Sequence, residues 1–285
     1  MILLGKFNLL KIVRKTKFGY YLDAKTGITM DDILLPNKNT MGNQLSIGDE
    51  VNAFIYKDSE DRIIATLKSP LATVGEITLL KTVSNVSFGC FIDIGLERDV
   101  LVPISEQKYK LILGKYYLFY LYLDKTNRIA ATTDIDKYLM ELEKENEKYS
   151  LGTEVKGTVY GFQTNNSAMV AVDNMYKGVI LNNEYFTKLE IGDELNLRIK
   201  RVYDDGKLGL TPRKTPKYER LSMEDIILEY LKSHDGFMPY NDKSSPEDIK
   251  NTFHESKNYF KNALGGLMRR NLVSQDKDGT KLIKK

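Results

Sequence analysis

Phe18-Gly19-Tyr20-Tyr21-Leu22-Asp23 returns as Phe88-Gly89-Cys90-Phe91-Ile92-Asp93, and the match runs back without a gap to Leu4-Gly5-Lys6 and Val74-Gly75-Glu76. Self-similarity of this kind means that one structural unit is repeated, and it outranks any local reading of periodicity. Further along, Ile33-Leu34-Leu35-Pro36 answers Val100-Leu101-Val102-Pro103, and Ile47-Gly48-Asp49-Glu50-Val51 answers Leu113-Gly114-Lys115-Tyr116-Tyr117. Both units close alike, with Asp61-Arg62-Ile63-Ile64-Ala65-Thr66 against Asn127-Arg128-Ile129-Ala130-Ala131-Thr132. A weaker third copy opens at Val155-Lys156-Gly157-Thr158-Val159, repeats the glycine turn at Ile191-Gly192-Asp193-Glu194-Leu195 and closes at Gly206-Lys207-Leu208-Gly209-Leu210-Thr211.

Each unit consists of short runs rich in Val, Ile, Phe and Tyr that alternate with period two, as in Met169-Val170-Ala171-Val172, separated by Gly, Asp and Asn turns. Five such strands in about 65 residues suit a small closed barrel, in which Gly19 and Gly89 relieve a sharply coiled strand or admit a ligand. Between the second and third units, Asp134 to Tyr149 places Ile135, Tyr138, Leu139 and Leu142 on one face, the pattern of a short amphipathic linker helix.

After Thr211-Pro212-Arg213-Lys214-Thr215-Pro216, a linker by its prolines and charge, the pattern turns helical. Ser222 with Asp225 is expected to cap a helix running to Leu231 that buries Ile226, Ile227, Tyr230 and Leu231. Ser245-Pro246-Glu247-Asp248 and Ser256 start two more helices. The last turns Phe260, Leu264, Leu267 and Met268 inward and Lys257, Lys261 and Arg269 outward. Leu272-Val273 and Leu282-Ile283 then flank Asp276-Lys277-Asp278-Gly279, a hairpin signal. Three helices and a hairpin give a winged helix-turn-helix, whose third helix and wing commonly touch nucleic acid, although such domains also serve in docking.

The expected architecture is therefore mainly β with α: three tandem closed β-barrels at 1–70, 71–133 and 150–213, a linker helix at 134–149, and a winged helix-turn-helix at 218–285. Hydrophobic residues at 42% and charged residues at 28% allow real cores. The apolar start Met1-Ile2-Leu3-Leu4 is broken by Gly5, Lys6 and Asn8, so a cytoplasmic protein with no membrane role is expected. A single cysteine, Cys90, excludes an intramolecular disulfide, and His234 and His254 alone form no zinc cluster, so neither metal nor cofactor is expected. With 42 Lys and Arg against 39 Asp and Glu, the net charge of +3 is too small to imply a polyanionic partner by bulk attraction, so such an argument rests on local patterning.

The order Gly, Phe-Gly-x-(Phe/Tyr), Ile-Gly-Asp-Glu-Val resembles the S1 RNA-binding domain, a variety of OB-fold. The resemblance implies that Phe18 and Tyr21 in the first unit, and Phe88 and Phe91 in the second, stack on bases, which gives sequence-tolerant contact with single strands. Against it, residues three apart on a strand face opposite sides unless a bulge intervenes. Pro36 and Pro103 replace a histidine common in that family. Aligning Asp173 with Asp93 leaves Ala168 and Ala171 at the aromatic positions of the third unit, where Tyr160, Phe162 and Tyr176 either compensate or serve as loop packing and core. Lys11, Arg14, Lys15 and Lys17 crowd the approach to Phe18, where a phosphate backbone would run. The second unit has only Lys81 in that stretch, and Arg198, Lys200, Arg201 and Lys207 of the third read as a solvated face.

The whole chain, and most specifically Tyr240-Asn241-Asp242-Lys243-Ser244-Ser245-Pro246 through Lys261-Asn262-Ala263-Leu264-Gly265-Gly266-Leu267, resembles the conserved virulence factor B family of Gram-positive bacteria. The resemblance implies a non-enzymatic, post-transcriptional regulator of virulence genes. Its RNA-binding residues would be Phe18, Tyr21, Phe88, Phe91, Lys11, Arg14, Lys15, Lys17, Lys257, Lys261 and Arg269. Its partners would be single-stranded RNA and the ribosome or RNA-degradation machinery. The alternatives are a DNA-binding transcription regulator resting on the winged helix, a ribosome or protein docking factor, and an accessory ribonuclease subunit. A catalytic role is disfavoured because no carboxylate cluster recurs at metal-binding spacing.

Overall fold

The computed structural model describes residues 2–143, 147–213 and 216–283. The first barrel comprises β1 (Lys6–Thr16), β2 (Gly19–Leu22), β3 (Ile33–Pro36), β4 (Glu50–Lys57) and β5 (Ile63–Thr66), closed in the order β1-β2-β3-β5-β4. The second repeats it with β6 (Ile77–Val86), β7 (Gly89–Asp93), β8 (Val100–Pro103), β9 (Tyr116–Leu123) and β10 (Ile129–Thr132). The third does so with β11 (Glu154–Phe162), β12 (Ala168–Val172), β13 (Tyr176–Ile180), β14 (Glu194–Val202) and β15 (Leu208–Thr211). Alternate residues point inward: Leu10, Ile12, Leu22, Leu35, Ala53 and Ile55 fill the first barrel, and Leu80, Ile92, Val102, Phe119 and Leu121 the second.

Gly19 and Gly89 serve closure of the barrel. A Cβ on Gly19 would lie 2.1 Å from the Leu35 carbonyl oxygen, and one on Gly89 would lie 2.5 Å from that of Val102. In each case the backbone of the neighbouring strand occupies the space of the missing side chain.

The fourth strand of each barrel settles how the barrels join. Glu50, Tyr116 and Glu194 occupy matching register, paired with Lys11, Lys81 and Thr158. Counting from them, β4 turns Phe54 and Tyr56 outward, where they pack with Phe7 and Ile64 against Leu96 and Ile129 of the second barrel. On β9, Leu118 and Tyr120 face outward against Tyr160, Met169 and Ala171 of the third. These strands are buried on both faces, which is why Ala53-Phe54-Ile55-Tyr56 and Tyr117-Leu118-Phe119-Tyr120 read as continuous apolar runs. On β14 the corresponding outward residues are Asn196, Arg198 and Lys200.

The expected linker helix at 134–149 is not formed. A 3-10 turn spans Asp136–Tyr138, another Glu147–Tyr149, and the chain between runs extended as far as it is described, with residues 144–146 outside the described residues. The Met140 amide donates to the Met175 carbonyl and the Lys177 amide to the Met140 carbonyl, so the segment is hydrogen-bonded to the third barrel. A helix this short is marginal on its own, whereas the extended path satisfies the backbone and buries side chains at both ends. Ile135 and Leu139 are wedged between barrels, Leu142 joins the third core, and the Tyr138 ring stacks on Tyr120 at 3.5 Å. The Tyr160 hydroxyl donates to Asp136 Oδ1 at 2.7 Å, and Lys177 Nζ lies 3.3 Å from Oδ2.

The C-terminal region has the three expected helices and the hairpin, with one strand, β16, that was not expected: α1 (Pro216–Ser233), β16 (Phe237–Met238), α2 (Pro246–Phe253), α3 (Lys257–Arg269), β17 (Val273–Gln275) and β18 (Thr280–Leu282), with the strands in the order β16-β18-β17. Ser245 and Ser256 are the caps, accepting from the amides of Asp248 and Tyr259. Ser222 is not. α1 starts at Pro216, whose missing N–H costs nothing in the first turn, so Ser222 lies inside the helix; Lys214 and Thr215 of the expected linker lie outside the described residues. Met223, Ile227 and Leu231 form the buried stripe, with Tyr230 half-buried and Ile226 exposed. Met268, expected inside, is exposed, because Phe260, Ala263, Leu264 and Leu267 complete the core face of α3 one position earlier. No described helix is long and apolar enough to cross a membrane.

Two measurements check this packing. Gly89→Ala should lower the denaturant midpoint by the equivalent of about 1–3 kcal/mol at unchanged slope, because the new methyl displaces the β8 backbone; an unchanged midpoint would contradict the closure argument. Burial alone would raise the Asp136 carboxyl, but the Tyr160 hydroxyl and Lys177 hold it below its usual value. Its contribution is therefore complete above the unfolded pKa of about 4 and is lost as pH falls through the lower folded value. Asp136→Asn should remove that part of the acid dependence of stability.

Candidate nucleic-acid interface

In the second barrel Phe88 and Phe91 come together on the surface, with ring centroids 6.4 Å apart and planes at 84°. Phe88 precedes β7, in the tight turn where Val86 pairs with Gly89, and β6 bulges between Thr82 and Ser84, opposite Phe91. The strict alternation of an extended strand thus does not separate the two rings. Phe88 is 59% exposed. The pair lines a groove of about 450 Å³ together with Leu101, Pro103, Ala130, Tyr122 and Arg128, the carboxylates of Asp58, Asp99 and Asp124, and Tyr56, Lys57 and Ser59 of the first barrel. Burial, and then the Glu106 and Asp124 carboxylates, push the Tyr122 phenol up, so it stays a neutral donor. Arg98, also lining the groove, is exposed and makes no ion pair among the described residues.

The first barrel carries its aromatics under cations. Phe18 is 64% exposed with Lys17 Nζ 4.9 Å above its ring, and the Arg14 guanidinium lies 4.0 Å over Tyr21, opposite a bulge between Ile12 and Arg14. Lys11, Arg14, Lys15 and Lys17 are all exposed. Lys15 is set apart from this group, over the buried Tyr20 ring at 5.1 Å.

The third barrel carries neither aromatic of the pair at the matching positions, and of the three aromatics that could replace them only Phe162 is exposed. Val159 exchanges backbone hydrogen bonds with Gly192 and Asp193 as Ile12 does with Gly48 and Asp49, and Thr82 with Gly114 and Lys115. Across the bulge that follows, Met169 pairs with Gly161 as Tyr21 does with Arg14 and Phe91 with Ser84. The alignment of Asp173 with Asp93 is therefore displaced by two residues: Ala171 matches Asp93, and Met169 stands at the aromatic position. The β11–β12 turn is longer than its counterparts, an insertion that the sequence gives no means of placing. Met169 and Tyr160 pack against the second barrel, and Tyr176 meets Tyr149 edge-on at 4.9 Å, so neither tyrosine substitutes for the missing pair. Of the residues read as a solvated face, Lys200 pairs with the buried Glu184 at 2.6 Å, Lys207 pairs with Asp205, and Arg201 covers Tyr203.

On α3, Lys261 and Arg269 are exposed and Lys257 half-buried, on the side away from Phe260, Leu264 and Leu267, with Asn258, Asn262 and Gly265 between them. The opposite flank is fixed. A Cβ on Gly266 would meet Glu224 Oε1 at 2.0 Å, and Glu224 pairs with Arg270 at 2.6 Å, so the glycine lets α1 approach with its buried carboxylate. Arg213 lies 4.6 Å over Phe186 and 5.4 Å over Tyr259, joining α3 to the third barrel.

Sequence reasoning missed the groove's other contributors, Tyr56, Tyr122, Arg98 and Arg128. The repeat carried a signal for two of them, since Tyr56 and Tyr122 fall at the same register position, but their convergence needs the packing of two barrels.

The S1 domain model matches residues 4–68 and 74–134, and a model described as a CvfB-like winged helix domain matches residues 225–282. The YitL protein of Bacillus subtilis is 31% identical over 97% of this chain and 92% of its own length. Conserved virulence factor B of Staphylococcus aureus is 27% identical over 99% of this chain and 95% of its own. A crystal structure from Streptococcus pneumoniae, described as a multidomain protein with nucleic acid binding domains, aligns with 98% of both chains at 26% identity and a TM-score of 0.50. Agreement in barrels, winged helix and full-length similarity places the chain in the conserved virulence factor B family.

Proposed function

We propose that the chain is a non-enzymatic, cytoplasmic protein that binds single-stranded RNA through its first two barrels, with α3 of the winged helix adding phosphate contacts, and that it regulates virulence genes after transcription. The observation that carries this reading is the pair formed by the exposed Phe88 and the half-buried Phe91, lining a groove with Leu101, Pro103, Tyr122 and Arg128. Aromatic faces presented in this way accept unpaired bases, whereas a duplex hides its base faces. The cations over Tyr21 and Phe18 leave a backbone-neutralising edge beside a second pair. Lys257, Lys261 and Arg269 act as a linked site on the same chain, which raises avidity. The virulence role is supported by the name of the staphylococcal relatives, and the nucleic-acid role by the description of the pneumococcal structure.

Titration of labelled single-stranded RNA, single-stranded DNA and duplex DNA at two salt concentrations tests the proposal, and a tight duplex preference would overturn it. Phe88→Ala with Phe91→Ala should weaken RNA binding by roughly 1–3 kcal/mol per lost stack while leaving the salt slope in place. Circular dichroism should show a folded variant. Replacing Lys11, Arg14 and Lys17 with Ala should instead lower the slope by about 0.7 per lost phosphate contact. Parent-like binding by a folded aromatic variant would remove the second barrel from the site.

A further inference from the structure

The turns Asp58 to Arg62 and Asp124 to Arg128 are repeat copies that lie side by side, with Lys57 Nζ donating to the Thr126 carbonyl at 2.6 Å. The first holds its own arginine. Arg62 Nε–H donates to Asp58 Oδ2 at 2.9 Å, and a terminal nitrogen lies 2.9 Å from Glu60. In the second turn Thr126 replaces that glutamate, and its amide and hydroxyl both donate to Asp124 Oδ1, at 2.7 and 2.6 Å. The Arg128 side chain turns to the other barrel. Its Nε–H and Nη2–H donate to the two carboxylate oxygens of Asp61, each at 2.5 Å. Arg128 also lines the groove bordered by Phe88 and Phe91.

We infer that Asp61 occupies, in the free protein, the guanidinium fork that an RNA phosphate takes up on binding, so that the first barrel restrains the affinity of the second. A fork that fits two carboxylate oxygens fits two phosphate oxygens equally well. The pair is about half exposed on each side, the setting in which an ion pair is weakly held and readily exchanged. The inference rests on the RNA-binding reading above. It also sets the salt response: a phosphate that displaces Asp61 exchanges one protein-bound anion for another, so the Arg128 contact adds little to the slope until the carboxylate is removed.

Asp61→Asn in the full chain isolates the effect. Asp61 sits at φ 62°, its counterpart Asn127 at φ 60°, so the repeat already carries asparagine in this conformation and the fold should be retained. With a short labelled oligouridine as probe, the variant should bind roughly two- to fivefold more tightly than the parent, with a salt slope steeper by about 0.7. In an Arg128→Ala background the same change should have no effect. If the parent binds and Asp61→Asn binds equally or less tightly, Asp61 merely positions Arg128 and the inference fails. If the parent itself does not bind, the RNA-binding reading fails and carries this inference with it.

Discussion

The structure depends on the burial of one surface, the outward side of the fourth strand in each barrel. A five-stranded barrel fills its interior with alternate residues and leaves the others to solvent. On β4 and β9 those others are Phe54 with Tyr56, and Leu118 with Tyr120. At roughly 25 cal/mol per Å² of apolar surface, leaving them exposed would be costly for so small a module. Each of these barrels is closed off by its successor. On β14 the outward side carries Asn196, Arg198 and Lys200, and among the described residues no further barrel packs on it.

This serial packing also distributes roles among repeats that began alike. Seating the first barrel on Leu96 and Ile129 brings its β4–β5 turn to the rim of the second barrel's groove, so Tyr56, Lys57 and Asp61 come to stand beside Phe88, Phe91 and Arg128. Seating the third barrel on Leu118 covers the position that would otherwise present an aromatic. There a methionine suffices, because its task is to fill an interface. The third barrel packs on the second through Tyr160, Met169 and Ala171 and meets the winged helix through Arg213.

Local chemistry was legible wherever residues act on near neighbours. The repeat, the period-two strands, the caps Ser245 and Ser256 and the C-terminal hairpin all follow from short-range geometry, and the structure shows each of them. The failures have one source. Asp134 to Tyr149 has a helical spacing of apolar residues, but the same spacing is met by a 3-10 turn and an extended run when two barrels supply surfaces for them. Met268 and Ser222 were misplaced because the core face of α3 and the start of α1 are set by what packs against them.

The sequence by itself determined that three barrels and a winged helix exist, and which aromatics and cations each barrel carries, because alternation, turn chemistry and repetition are properties of the chain taken a few residues at a time. Tertiary structure alone decided which of those faces remain open. The aromatic position of the third barrel is covered and that of the second walled by its neighbour, since burial of the β4 and β9 faces fixes how the barrels meet, and that geometry joins residues far apart in the chain.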